Sequence, residues 1–113
     1  MHEYSIVQAL IERVDVEARV RGAVGVHRLS VRIGELSGVD VDLLTTAYAT
    51  FRERTVCERA DLDVERVAAR WECPRCGGPI GRGNLLRCSI CDLPARLAEG
   101  DEIMLDRIEM EVV

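Results

Sequence analysis

Hydrophobic residues recur along the first twenty positions at spacings of three and four. Ile6, Val7, Leu10, Ile11, Val14 and Ala18 share one side of a helical wheel, while Glu12, Arg13, Asp15, Glu17 and Arg19 mostly fall off it. The pattern predicts an amphipathic helix from Tyr4 to Arg21, stopped by Gly22 and Gly25. The period then drops to two. His27, Leu29, Val31 and Ile33 alternate with Arg28, Ser30 and Arg32, which predicts a strand with one buried face ending at Gly34. That parity places His27 in the core or at a sheet edge rather than in a metal site.

The stretch "GELSGVDVDLL" is a turn leading into a second helix, whose apolar face is marked by Leu43, Leu44, Ala47, Tyr48 and Phe51. Ser37, Asp40 and Asp42 are the candidate caps. From Leu62 to Trp71 the alternation is imperfect: Leu62 and Val64 share parity and Val67 breaks it, so a strand with a bulge or an end near Val67 is expected. The chain finishes in clean alternation, Ile108, Met110 and Val112 against Arg107, Glu109 and Glu111, a strand with one wet face. The expected fold class is α+β, two helices packed on a small mixed sheet of about three strands, with an inserted zinc-ribbon-like subdomain built on four cysteines. The division is residues 1–70 plus 99–113 for the α+β body and 71–98 for the insert.

Composition narrows the function classes. With 113 residues, 48% hydrophobic and 31% charged, the chain has the profile of one compact domain with a small appendage. No apolar run approaches the roughly 20 residues of a membrane span, and a basic-then-apolar leader is missing from the start, so a cytoplasmic location with no membrane partner is expected. A net charge of -5 argues against wholesale phosphate binding. The charge is uneven, however: between 70 and 98, Arg70, Arg75, Arg82, Arg87 and Arg96 face only Glu72 and Asp92. All fifteen basic residues are arginine, so the lysine of a P-loop and any Schiff-base lysine are missing from the sequence. Two histidines and no G-x-S-x-G leave hydrolytic catalysis without its parts. The expectation is a binding protein, not an enzyme.

Four of the five cysteines form two C-x-x-C pairs, Cys73 with Cys76 and Cys88 with Cys91, separated by eleven residues. Two residues between thiols let both point at one ion, and two such knuckles complete the tetrahedron that Zn(II) accepts. Gly77 and Gly78 suit the turn that follows a knuckle. With four protein ligands the ion is structural, and the arginines of the insert are expected to offset part of the thiolate charge. Iron is the alternative ion, and a disulfide pair or redox C-x-x-C the alternative chemistry. Cys57 is left over as an inert, partly buried thiol at or just past the end of the second helix.

The opening "MHEYS" carries a second chemistry. A large residue at position 2 disfavours removal of Met1, so the mature chain is expected to begin Met1, His2, Glu3. A free amine, the amide nitrogen of residue 2 and Nδ1 of His2 can close a five-membered and a six-membered chelate ring on one metal, a tetragonal nitrogen set that suits Cu(II) or Ni(II). Glu3 could add an amide nitrogen or a carboxylate, and an acid from the turn at 40–42 could approach. The competing reading of His2 is a solvated side chain, and of Glu3 an acid placed favourably in the first turn of a helix.

"MHEYSIVQALI", "RIGELSGV", "FRE" in the second helix and the paired C-x-x-C motifs together resemble the HypA family of hydrogenase and urease nickel-maturation factors, over essentially the whole chain. The resemblance implies Ni(II) as transported cargo, bound through the Met1 amine and the His2 amide and imidazole with Glu3 assisting, and structural Zn(II) on Cys73, Cys76, Cys88 and Cys91. Asp40 is a further carry-over as a nickel ligand, set against its place as a helix N-cap. The implied partners are the GTPase HypB, the large subunit of a [NiFe]-hydrogenase as nickel acceptor, and urease accessory proteins; monomer and homodimer both stay open. A GTPase partner fits a chain with no P-loop lysine of its own.

Two rivals stand beside this reading. A zinc-ribbon module could contact nucleic acid or protein through the arginines of the insert, although only Trp71 is there to stack on bases. A dithiol oxidoreductase would cycle its four cysteines between thiol and disulfide.

Overall fold

The computed structural model describes residues 2–113. The first helix, α1, spans His2–Arg21 and buries Glu3, Val7, Ile11, Val14 and Ala18. It begins two residues earlier than the apolar spacing indicates, because the hydrophobic pattern cannot register a polar first turn. Gly22 ends it with φ +66°, a left-handed conformation that glycine adopts without penalty. Gly25 plays no part in that stop: it lies inside β1, Ala23–Gly34.

β1 is the centre of a three-stranded sheet. Helix α2, Val41–Phe51, carries the chain over to β2, Asp61–Val67, which runs parallel to β1 with Leu29 opposite Leu62 and Val31 opposite Val64. Parallel neighbours need such a crossover, since a tight turn can only return a strand antiparallel. The expected break at Val67 is the end of the strand. On the other side of β1 the final strand of the chain, Ile103–Val112, pairs antiparallel with it, Leu29 opposite Ile108. The sheet is therefore mixed.

Both helices lie on one face of this sheet. Val7, Val14, Leu29 and Leu44 are essentially inaccessible to solvent, and burying each such aliphatic side chain is worth about 1.5–3 kcal/mol. Tyr4 of α1 meets Phe51 of α2 edge to face, ring centroids 5.2 Å apart, so the rim of the helix pair is aromatic. Tyr48 is buried, and its hydroxyl donates to the Ala60 carbonyl at 2.8 Å, which fixes the turn after α2. Cys57 lies in that turn, completely buried rather than partly; burial pushes its thiol pKa up, and the side chain fills space in the core.

The opposite face of the sheet is wet. Arg28 pairs with Asp63 and Glu109, and Arg32 with Glu65, across three strands. His27 belongs here too. Its side chain is 61% exposed, with Nε2 3.8 Å from Glu111, because the pairing with the last strand slips between Val26 and Arg28 and the extra residue inverts the parity. The expectation of a core or edge histidine fails for that reason.

Between β2 and the last strand a second, smaller sheet is built from β3 (Arg70–Glu72), β4 (Pro79–Ile80) and β5 (Arg96–Glu99), with β3 in the middle. The last strand of the chain is accordingly β6. Where the two sheets meet, backbone passes very close to backbone: a Cβ added at Gly34 would lie 2.2 Å from the Gly100 carbonyl group, and one at Gly100 2.5 Å from the Cα of Ala69. Among the described residues no helix is long and apolar enough to cross a membrane.

Candidate metal centres

The four cysteines of the paired motifs converge at one end of the small sheet. Their sulfurs all lie within 4.8 Å of one another, and Cys76 and Cys88 are 3.9 Å apart. A tetrahedron with Zn–S bonds of about 2.3 Å has edges of about 3.8 Å, so this is the spacing that four thiolates take up around one zinc. The two knuckles repeat one local design. Gly77 donates its N–H to the Cys73 carbonyl and Asp92 donates to the Cys88 carbonyl, closing each turn; Arg75 and Cys91 then aim their N–H groups at the sulfurs of Cys73 and Cys88. Gly78 donates likewise to Cys76 at 3.4 Å.

These donors set the charge state. The thiol pKa of Cys73 is pushed down to about 6, chiefly by the Cys76 N–H, and that of Cys91 is pushed up to about 12 by burial beside the other sulfurs. Four sulfurs this close repel one another as thiolates, and a divalent cation held among them removes that repulsion. The donor set fits zinc.

Peptide N–H groups supply that stabilisation, and the expected guanidinium compensation is not its source. Arg96 binds Glu72, Arg70 reaches Glu99, Arg87 binds Asp92, and Arg82 makes a two-pronged contact with Glu35. Of the five arginines between 70 and 98, only Arg75 has no carboxylate partner among the described residues. A phosphate backbone would find most of these charges already spent on carboxylates, which removes the main support for the nucleic-acid reading.

The second candidate centre lies at the start of α1. The His2 side chain is 57% exposed, and its Nδ1 is 3.5 Å from Oε2 of Glu3. Glu3 by contrast is buried, and the same Oε2 accepts the backbone N–H of Asp40 at 3.1 Å. That N–H, then the N–H of Glu3 itself and the adjacent His2, hold the Glu3 carboxyl below the usual carboxylate range. Asp40 in turn accepts from the Leu43 N–H at 3.1 Å and caps α2, as its position after the turn predicts. His2, Glu3 and Asp40 are thus brought together across a separation of 37 residues, with one carboxylate linking the first turns of two helices. Met1, the remaining member of the sequence-derived set, lies outside the described residues.

The location matters chemically. The first four N–H groups of an α-helix have no acceptor within the helix. The amides of His2 and Glu3 can therefore take part in metal coordination without breaking a helical hydrogen bond, and deprotonating an amide there is helped by the positive end of the helix dipole. Glu35 is a residue that sequence reasoning passed over, and Arg82 was counted there only among the arginines of the insert. Glu35 accepts from the Ala69 N–H at 2.8 Å as well as from Arg82, tying the small sheet to the end of β1. The only sequence signal was its place directly after the strand-ending Gly34.

A family model described as "Hydrogenase/urease nickel incorporation, metallochaperone, hypA" matches residues 1–110. The chain is 38% identical to the hydrogenase maturation factor HypA of Nitrosospira multiformis, over 97% of each chain, and 38% identical to that of Aquifex aeolicus, over 99% of each. The solution structure of the Ni metallochaperone HypA from Helicobacter pylori matches with a TM-score of 0.75 at 31% identity, covering 98% of each chain. A second solution structure, of a HypA protein, gives a TM-score of 0.81 at 33% identity over 97% of this chain and 96% of that one. Motif spacing, sheet topology and these likenesses agree, and the chain belongs to the HypA family of nickel-incorporation metallochaperones that act in hydrogenase maturation.

Proposed function

We propose that this chain carries Ni(II) on its N-terminus and hands it to the large subunit of a [NiFe]-hydrogenase, working with the GTPase HypB and supporting urease maturation where that enzyme is present. The observation that carries the proposal is the meeting of His2, Glu3 and Asp40 at the first turn of α1. The nickel ligands are the Met1 amine, the His2 amide and imidazole, and Glu3. Asp40 stands beside them with one oxygen engaged in the α2 cap. Cys73, Cys76, Cys88 and Cys91 hold Zn(II) as a structural ion, and residues 71–98 are the unit that folds around it, leaving 1–70 and 99–113 as the nickel-bearing body. The setting is cytoplasmic, and the role is carriage rather than catalysis.

An exposed imidazole on a helix's first turn suits a carrier. It can present nickel to a partner and release it, which a closed cage of four thiolates does only slowly. Protons compete for the same nitrogens, so nickel is released as the solution becomes acidic. The test is His2→Ala. Stoichiometric nickel binding should vanish while zinc content stays at one per chain; an unchanged nickel titration in that variant contradicts the assignment.

A further inference from the structure

Leu62, Val64 and Arg66 share one face of β2, the face on which both helices lie. Leu62 and Val64 pack against the core, whereas Arg66, opposite Ile33 at the end of the strand, is exposed. The face opens where the arginine stands. Beside the start of α2 lies a cavity of about 530 Å³, lined by apolar Ile33, Val39 and Val41 and by charged Arg66, Glu35 and Arg82.

Two of these three charges are already matched. Arg82 grips Glu35 with two nitrogens, one of them at 3.1 Å, and Glu35 also accepts the Ala69 N–H at 2.8 Å. Arg66 stands apart: among the described residues it has neither an ion pair nor a hydrogen bond, and the adjacent Glu65 lies on the opposite face, where it meets Arg32. Arg54 and Arg59 also line cavities without an ion pair, but each has carboxylates in the same lining, Glu12 and Asp15 with the first, Glu58 and Glu111 with the second. The cavity of Arg66 has Glu35 alone, and Glu35 is committed.

We infer that this cavity seats an acidic segment of another protein, with one carboxylate on the Arg66 guanidinium and an apolar neighbour against Val39 and Val41. A guanidinium takes a carboxylate through two parallel N–H···O bonds, and apolar walls that exclude water strengthen the contact. The net charge of -5 repels acidic chains elsewhere on the surface, so Arg66 also sets the orientation of approach. The chain's own acidic end does not fill the cavity. β6 runs antiparallel to β1 and sets Val112 beside Ala23, at the far end of the sheet from Ile33 and Arg66.

The position gives the contact a use. Val39 and Val41 flank Asp40, whose N–H holds Glu3, so a segment seated here lies beside the first turn of α1. That the segment belongs to the protein exchanging nickel rests on the carrier reading; the preference of the cavity for an acidic segment does not.

The test is an amide NMR titration of the full, zinc-loaded chain with the end-blocked peptide Leu-Asp-Val-Glu-Leu, compared with the same peptide carrying Asn and Gln in place of its acids. The acidic peptide should bind with a Kd of about 0.1–1 mM, and the amide peptide about tenfold more weakly or worse. Shifts should centre on Val39, Val41 and Ala68. Arg66→Gln should weaken the acidic peptide about tenfold, while Arg59→Gln, which removes the same charge from another cavity, should change it less than about twofold at physiological salt. Equal binding of the two peptides, an unchanged affinity in Arg66→Gln, an equal loss in Arg59→Gln, or shifts centred elsewhere each overturns the inference. His2→Ala, the variant that tests nickel carriage, should leave peptide affinity unchanged, so the two readings fail separately; a loss there as large as in Arg66→Gln moves the contact out of the cavity and overturns its placement.

Discussion

At the scale of single residues, Asp40 shows how one side chain can be read as cap or as ligand, and the two readings make different predictions. Its carboxylate caps α2 and its backbone N–H holds Glu3. Asp40→Ala should therefore cost about 1 kcal/mol of stability in a denaturant titration, while Asp40→Asn, an equally good cap, should cost almost nothing. Nickel affinity in the asparagine variant should stay close to wild type; a large loss there would make the carboxylate a ligand. His27 shows the reverse problem. A single extra residue in β1 moved it from the predicted inner face to the solvent, and nothing in a period-two pattern announces where a bulge will fall. Cys57 needed only its burial corrected, since a lone thiol among aliphatic neighbours was already read as inert.

At the scale of elements, the two helices, the central strand and the last strand were legible because each has a long periodic stripe to bury. The small sheet was not. β3, β4 and β5 are two to four residues long, too short for any period to register, and their place is fixed by the cysteine knuckles and by the glycine contacts at the junction. On the proposed zinc reading, their folding depends on the metal. Removing the metal with a strong chelator should abolish the protected amides of β3 and β5 while those of β1 and α1 persist, measured by hydrogen exchange; retained protection in the small sheet would contradict a metal-dependent fold. The junction itself is tested by Gly34→Ala. The added methyl meets backbone that cannot rotate away, so a destabilisation of about 1–3 kcal/mol is expected from thermal melting.

At the scale of the whole molecule, two candidate metal centres with different designs share one small frame: a nest of four thiols with Cys76 at the surface, and an exposed imidazole on a helix start. The tie between their supports is Glu35, whose carboxyl is held below the usual range, first by Arg82 and then by the Ala69 N–H. A carboxyl depressed in the folded state stabilises it at neutral pH, and that contribution is lost as pH falls through the folded value. The amide of Ala69 should therefore lose protection only once the pH falls below the ordinary carboxylate range, and Glu35→Gln should remove that acid step; a step that survives the substitution would assign it to another group. Family membership was legible from the sequence because its motifs sit at the chain start and in the knuckles, where chemistry fixes spacing. How the first turn of α1, the proposed nickel site, docks was not, since the Glu3 to Asp40 contact spans 37 residues and exists only in the fold. The claim on which the account turns is coordination by the N-terminal nitrogens. Titrating nickel into protein with its native terminus at neutral pH, followed by visible absorption, tests it directly. The account expects, at one equivalent, a ligand-field band of planar amide-coordinated nickel that the hexa-aquo ion lacks, and its loss when the amine is blocked by an added residue; no uptake, or only sulfur-to-nickel charge-transfer bands, would contradict it.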